Sequence, residues 1–230
     1  HAEERLDSIG EVRLLECVRA WLGESGCPLP AEPFGLSDDT AVLEPPSTRH
    51  KRLLTTDGLI FGQHFDAAAT PEQAAGKLLK RNLSDIAAMG GTPGEAVLAL
   101  TLGGGTALAW LERFYRALGA LCREYDILLA GGDVAAVPDE TFAACLTLTG
   151  SAERPIGRVG ARAGDLLAVT GALGGSLENA RHLDFVPRLA EGRWLAGRTE
   201  TVAMMDLSDG LGKDLPALLR AAAEPLRALV

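Results

Sequence analysis

The 230-residue chain is 47% hydrophobic and 23% charged, and its 22 Lys and Arg against 31 Asp and Glu leave a net charge of −9. That acidic balance argues against broad nucleic-acid binding, which needs a basic surface, and the apolar runs are too short to span a bilayer. The length suffices for one large domain or one and a half average ones with a substantial core.

Residues 9–22 ("IGEVRLLECVRAWL") have helical spacing, with Val12, Leu15, Val18 and Leu22 on one face. "FGLSDDTAVLEPP" reads as a turn running into a short strand, and "KRLLTTD" as a second strand that stops on Asp57. "TPEQAAGKLLKRNLSDIAAMGG" is the clearest helix: Thr70 can cap it, Pro71 suits its first turn, Gln73 completes a capping box, and Gly90-Gly91 ends it. "EAVLALTL" reads as a buried strand, "ALAWLERFYRALGALCREY" as a helix, "ILLA" as a strand into the turn "GGD", and "TFAACLTLTGSA" as a strand. The Gly-, Pro- and Arg-rich stretch "SAERPIGRVGARAGD" reads as a linker, so domains are expected over 1–150 and 151–230. Beyond it come a strand and glycine turn ("LLAVTGALGGS"), a second strand running into acid ("VAMMDLSDG") and a helix ("LGKDLPALLRAAA"). Strand pairs with interposed helices imply an α+β, mixed α/β fold with a mixed sheet.

The four cysteines (Cys17, Cys27, Cys122, Cys145) fall at no metal-ligand spacing and read as reduced, mostly buried thiols of a cytosolic protein. There is no signal-peptide layout at the start, although the chain opens on His1 rather than Met. "LGGGT" at 102–106 lacks the phosphate-loop pattern and reads as a plain turn; Met89, Met204 and Met205 read as core.

Acids recur beside strand ends: Asp38-Asp39, Asp57, Asp133, Asp206 and Asp209, with Asp85 on the margin of the apolar stripe of the strongest helix. A single such aspartate is ordinarily a turn or cap residue, and Asp165 and Asp214 are read as that. Several converging in space would repel one another unless cations bind between them. Oxygen ligands without a Cys/His cluster point to Mg²⁺, which bridges carboxylates to substrate phosphates and suits phosphoryl transfer. Arg158 could fork onto a phosphate. His64 taken alone reads as a satisfied histidine.

Taken in order, "GLSDDTAVL", "TTDGLIFGQHF", "NLSDIAAMGGTP", "WLERFYRALGAL", "LLAGGD", "GARAGDLLAVTG", "RHLDFVPR" and "MMDLSDGLGKDL" resemble the thiamine-monophosphate kinase family, within the superfamily that includes aminoimidazole ribonucleotide synthetase and selenophosphate synthetase. The likeness runs from about residue 10 to about residue 220, and "NLSDIAAMG" with "DLSDGL" is its most specific part. It implies direct transfer of the γ-phosphoryl of ATP to thiamine monophosphate, giving thiamine diphosphate, with several Mg²⁺ ions and no phosphoenzyme. By motif position Asp39, Thr55, Thr56, Asp57, Asp85, Asp133, Asp206 and Asp209 look like metal ligands, Asp57 bridging. Gly132, Asp133, Arg158 and Ser208 look like ATP contacts, and His64 a contact to the thiamine substrate. No general base is assigned, because the acceptor phosphate is already ionised at neutral pH.

The resemblance further implies an N-terminal mixed sheet with helices on one side, pairing with a second copy as a homodimer, then a C-terminal α+β domain, with ATP between the halves. It implies a cytoplasmic enzyme without nucleic-acid or membrane partners. The pattern departs from the family at Ser37, where glycine is usual, and at Val134-Ala135-Ala136 after "GGD". The chain reads as stopping inside its C-terminal domain. Two other functions fit parts of the pattern: a related ATP-dependent synthetase, and a non-catalytic nucleotide-binding dimerisation module.

Overall fold

In the computed structural model the described residues are 5, 8, 10–29, 49–138 and 141–228. Ser37, Asp38, Asp39 and the short strand expected after them lie outside the described residues. The elements are α1 (Gly10–Glu24), β1 (Lys51–Ile60), α2 (Pro71–Ala88), β2 (Thr92–Gly103), α3 (Leu108–Glu124), β3 (Leu128–Val137), β4 (Phe142–Ala152), α4 (Arg181–Asp184), α5 (Leu189–Ala196) and α6 (Leu211–Arg220). None of the described helices is long and apolar enough to cross a membrane.

The four strands form one sheet in the order β1-β4-β2-β3, with β4 antiparallel to both neighbours and β2 parallel to β3. It is the mixed sheet expected from the alternation of strands and helices. Period-2 alternation gives it two unlike faces. Leu59, Leu98, Leu100, Leu146 and Leu148 point to one face and are buried under α2 and α3, while Leu54, Val97 and Cys145 stay exposed on the other. α1 packs on α3 through Leu14, Val18, Trp21 and Leu22. Leu15, expected on that face, is 41% exposed, because the buried stripe starts one residue earlier, at Leu14.

α2 is built as its sequence dictates. Thr70 Oγ1 accepts from the Gln73 N–H at 3.2 Å and Gln73 Oε1 accepts from the Thr70 N–H at 3.0 Å, a reciprocal cap worth about 1 kcal/mol. Gly90 ends it at φ +69°, and the terminal glycines have a second task. A Cβ on Gly90 would lie 2.3 Å from Ala196 Cβ, and one on Gly192 would lie 2.2 Å from the Ala87 carbonyl oxygen. α5 therefore docks on the end of α2 at backbone distance.

Two expectations are corrected. Residues 131–133 ("GGD") are not a turn: β3 runs straight through them, with a bulge that sets Leu129 opposite Ala96 and Gly131 opposite Val97. Glycine at 132 marks close approach instead, since a Cβ there would lie 2.0 Å from the Leu98 carbonyl oxygen. Likewise β1 does not stop at Asp57 but continues to Ile60.

The segments 166–176, expected as a strand and glycine turn, and 202–206, expected as a strand, contain no strand, because a strand needs a hydrogen-bonding neighbour and the described residues supply none there. Residues 202–206 are held by other means. Met204 N–H donates to the Gly157 carbonyl at 3.0 Å, Ile156 N–H donates to the Met89 carbonyl at 3.3 Å, and a Cβ on Gly160 would lie 1.9 Å from the Val202 carbonyl oxygen. The Arg154 guanidinium adds three donated bonds, to the carbonyls of Ala196, Arg198 and Thr201 at 2.7–3.0 Å. This crossing lays residues 156–160 against 202–204 at the end of α2.

Candidate active site

Alternation along β1 sends Leu53, Thr55, Asp57 and Leu59 toward α2 and Leu54, Thr56 and Ile60 to the open face. Asp57 thus meets α2, where Arg81 binds it: the guanidinium lies 2.8 Å from Asp57 Oδ1 and donates to the Gly58 carbonyl at 2.6 Å. Thr55 Oγ1 donates to Asp85 Oδ2 one turn further along the helix. Ser84, beside Asp85, donates its hydroxyl to Asp206 Oδ2 at 3.2 Å. Asp57, Asp85 and Asp206 therefore converge from a strand, a helix and the crossing segment.

The electrostatics follow from that convergence. Burial pushes the Asp57 carboxyl above its ordinary range; Arg81 opposes the rise, while Asp85 and Asp206 reinforce it. Burial also raises Asp206, with Asp85 and Asp214 adding repulsion against the Ser84 hydrogen bond and the Arg158 charge. Arg158 therefore sits within electrostatic reach of the cluster.

All the donors are oxygens, partly desolvated and mutually repelling, a set that suits a hard divalent cation. Yet among the described residues no three His, Cys, Asp or Glu side chains are grouped closely enough to hold a metal between them. Each carboxylate is turned to its own donor instead: Arg81 on Asp57, Thr55 on Asp85, Ser84 on Asp206.

The other candidates are placed differently. Thr56 is on the open face, where its Oγ1 accepts from Thr147 Oγ1 at 3.1 Å and lies 3.3 Å from Cys145 Sγ. Asp133 shares that face, in register with Ala99 and Cys145 and three strands from β1, a span of roughly 14 Å at about 4.8 Å per strand. Gly132 is its neighbour on the β3 edge. Asp209 pairs with Lys213 at 2.5 Å, and its N–H donates to Asp214 Oδ2 at 2.8 Å, so Asp214, in the first turn of α6, ties down the loop before that helix rather than serving as its N-cap, which is Gly210. Ser208 is exposed in the same loop. Asp39 lies outside the described residues.

His64 follows β1 in a turn made possible by Gly62 at φ +79°. Phe65 anchors that turn among Phe61, Trp110 and Phe142, at ring-centroid separations of 5.4–6.5 Å. The Ile60 N–H donates to His64 Nδ1 at 2.9 Å, so the neutral ring carries its proton on Nε2 and presents it as a donor. Burial, then the charges of Arg81 and Lys77, lower the His64 pKa and keep it neutral.

Four contributors escaped the sequence reading: Lys77, Arg81, Ser84 and His182. The signal for the first three was present, since Gln73, Lys77, Arg81 and Ser84 fall within one arc of α2. Cations at such spacing usually form a solvated helix face, and only contact with β1 distinguishes this one.

A raised carboxyl pKa has a definite linkage sign. The folded state binds more protons than the unfolded chain, so stability falls as pH rises from the ordinary value of 3.8 through the raised one and stays reduced above it. Asp206→Asn removes that loss. In buffer free of divalent cations it should melt a few degrees above the unsubstituted protein at pH 7, the gap closing near pH 4; a lower melting temperature at pH 7 would contradict the repulsion.

Comparison with known proteins bears on this arrangement. Residues 37–152 match the family described as "AIR synthase related protein, N-terminal domain". The thiamine-monophosphate kinase of Synechococcus elongatus is 34% identical, over 96% of this chain and 72% of that one; its counterpart from Rhodopirellula baltica is 35% identical, over 84% and 63%. Among solved structures, "AaThiL complexed with AMPPCP and TMP" superposes with a TM-score of 0.71 at 31% identity, covering 95% of this chain and 72% of that one. The chain thus spans about two thirds of the length of these relatives. With sequence identity and structural superposition in agreement, the chain belongs to the thiamine-monophosphate kinase family.

Proposed function

We propose that this chain transfers the γ-phosphoryl group of ATP directly to the phosphate of thiamine monophosphate, yielding thiamine diphosphate and ADP. The observation that carries the reading is the convergence of Asp57, Asp85 and Asp206, with Arg158 in reach, in a chain similar to one solved with AMPPCP and TMP. Two polyanions can meet in line only where positive charge offsets both. Arg158 and Arg81 supply fixed positive charge. Asp57, Asp85 and Asp206, with Thr55, would hold Mg²⁺, and Asp39 and Asp209 belong to the same set by motif position. When bound, the ions neutralise charge developing on the phosphoryl oxygens. Gly132, Asp133 and Ser208 are assigned to ATP and its metal.

No residue is needed to take a proton. The acceptor phosphate ionises for the second time near pH 6, and its oxygen attacks as the anion. His64, neutral and donating through Nε2, contacts the thiamine substrate. We place ATP between units 1–150 and 151–230, in a cytoplasmic enzyme.

Thr56 and Asp133 share the open sheet face, and so do Leu54 at 71% and Val97 at 45% exposure. An apolar sheet face left in water favours burial against a like surface. We assign it to a homodimer, in which Thr56 belongs to the interface, while Asp133, on the edge strand β3, stays with ATP and its metal. Light scattering should give twice the 24.1 kDa chain mass, and Leu54→Glu with Val97→Glu should give monomers; a double variant that stays dimeric would rule that face out.

The direct test is incubation with ATP, Mg²⁺ and thiamine monophosphate, assayed for thiamine diphosphate and ADP. Asp57→Asn should lower turnover by on the order of 10²-fold or more while the fold is kept. Near-normal turnover in that variant would remove Asp57 from the site, turnover with another acceptor alone would indicate a synthetase, and ATP binding without product a non-catalytic module.

A further inference from the structure

α4 is four residues long, and its preceding residue, Ala180, sits at φ +52° with no side-chain cap. A helix this short has little stability of its own, so its place depends on what holds it. Leu183 is buried in the core cluster, Gln73 Nε2 donates to Asp184 Oδ2 at 3.0 Å, and Lys77 Nζ lies 2.8 Å from His182 Nδ1. The same Lys77 Nζ donates to the His64 carbonyl at 2.5 Å. One ammonium group thus touches both the turn that carries His64 and the helix that carries His182.

The chemistry of the donor fixes the state of its partner. An ammonium has three protons and no lone pair, so the contact is a hydrogen bond only if His182 Nδ1 accepts, with the ring neutral and its proton on Nε2. The surroundings favour that state: burial and Lys77 lower the His182 pKa against the opposing charges of Asp66 and Asp184. On the Lys77 side, burial and Arg81 act on the ammonium, and His64 is the other group in contact.

We infer that Lys77 is a positioning residue, clasping the His64 turn to α4 so that affinity for the acceptor substrate depends on this one ammonium. The inference rests on the acceptor role given to His64. The turn has bonds of its own, from Gly62 N–H to the Phe65 carbonyl at 2.8 Å and from His64 N–H to the Ile60 carbonyl at 2.8 Å. Loss of the clasp therefore frees the turn from α4 without unfolding it.

Kinetics of Lys77→Met, His182→Leu, their double variant and His182→Gln, with ATP and thiamine monophosphate varied separately at pH 8, test the clasp. Lys77→Met and His182→Leu should each raise KM for thiamine monophosphate about tenfold, because each breaks the link between the His64 turn and α4. KM for ATP and kcat should stay within about twofold. The double variant should be no worse than Lys77→Met, since both remove the same bond, and His182→Gln, whose carbonyl can accept from Lys77, should stay near the unsubstituted value. Equal shifts in both KM values, independent multiplying effects, or His182→Gln as impaired as His182→Leu would overturn the proposal. Hydrogen exchange separates this from failure of the functional reading. Even in a chain that does not phosphorylate thiamine monophosphate, the His64 amide should exchange several-fold faster in Lys77→Met and His182→Leu, and unchanged exchange in both would refute the clasp.

Discussion

Three carboxylates near enough to repel one another, each turned to its own donor, approach one half-buried corner, and much of the molecule serves to keep them there. Asp57 arrives on β1, Asp85 on α2 and Asp206 on a segment with no secondary structure of its own. Such a grouping is unfavourable in isolation: burial and repulsion from neighbouring carboxylates raise the pKa values of Asp57 and Asp206. It persists because the scaffold over-determines it, through the β1–β4 ladder, the reciprocal cap of α2, and the backbone-close crossing where Gly160 meets Val202. Destabilised charge of this kind is expected where a cation and its phosphates act.

α2 organises the rest. Its apolar face covers the sheet, and beside that face runs the polar arc of Gln73, Lys77, Arg81 and Ser84. One end of the arc meets α4 and His64; the other meets Asp57 and Asp206. A single helix thereby joins the groups assigned to the acceptor with those assigned to the metal, at a spacing set by helical rise alone.

Much of this was legible in the residues. The capping box of α2 and the mixed sheet follow from local signals, and motif order groups Asp57, Asp85 and Asp206; motif order also groups Thr56 with Thr55 and Asp57, whereas alternation along β1 turns Thr56 to the other face. What escaped was decided at a distance. Gly131-Gly132 reads as a turn, yet both lie in β3, where Gly132 must be glycine because the Leu98 carbonyl lies too close for a Cβ. Residues 166–170 have strand composition, but among the described residues they have no strand to pair with. Arg81 and Lys77 look like solvated helix charges until β1 and α4 are laid against them.

The most direct measurement is the anomalous scattering of Mn²⁺ in crystals grown with an ATP analogue. Metal density is expected in coordination contact with Asp57, Asp85 and Asp206. Density elsewhere, with the Arg81 guanidinium still on Asp57 and no ion beside these carboxylates, would contradict it.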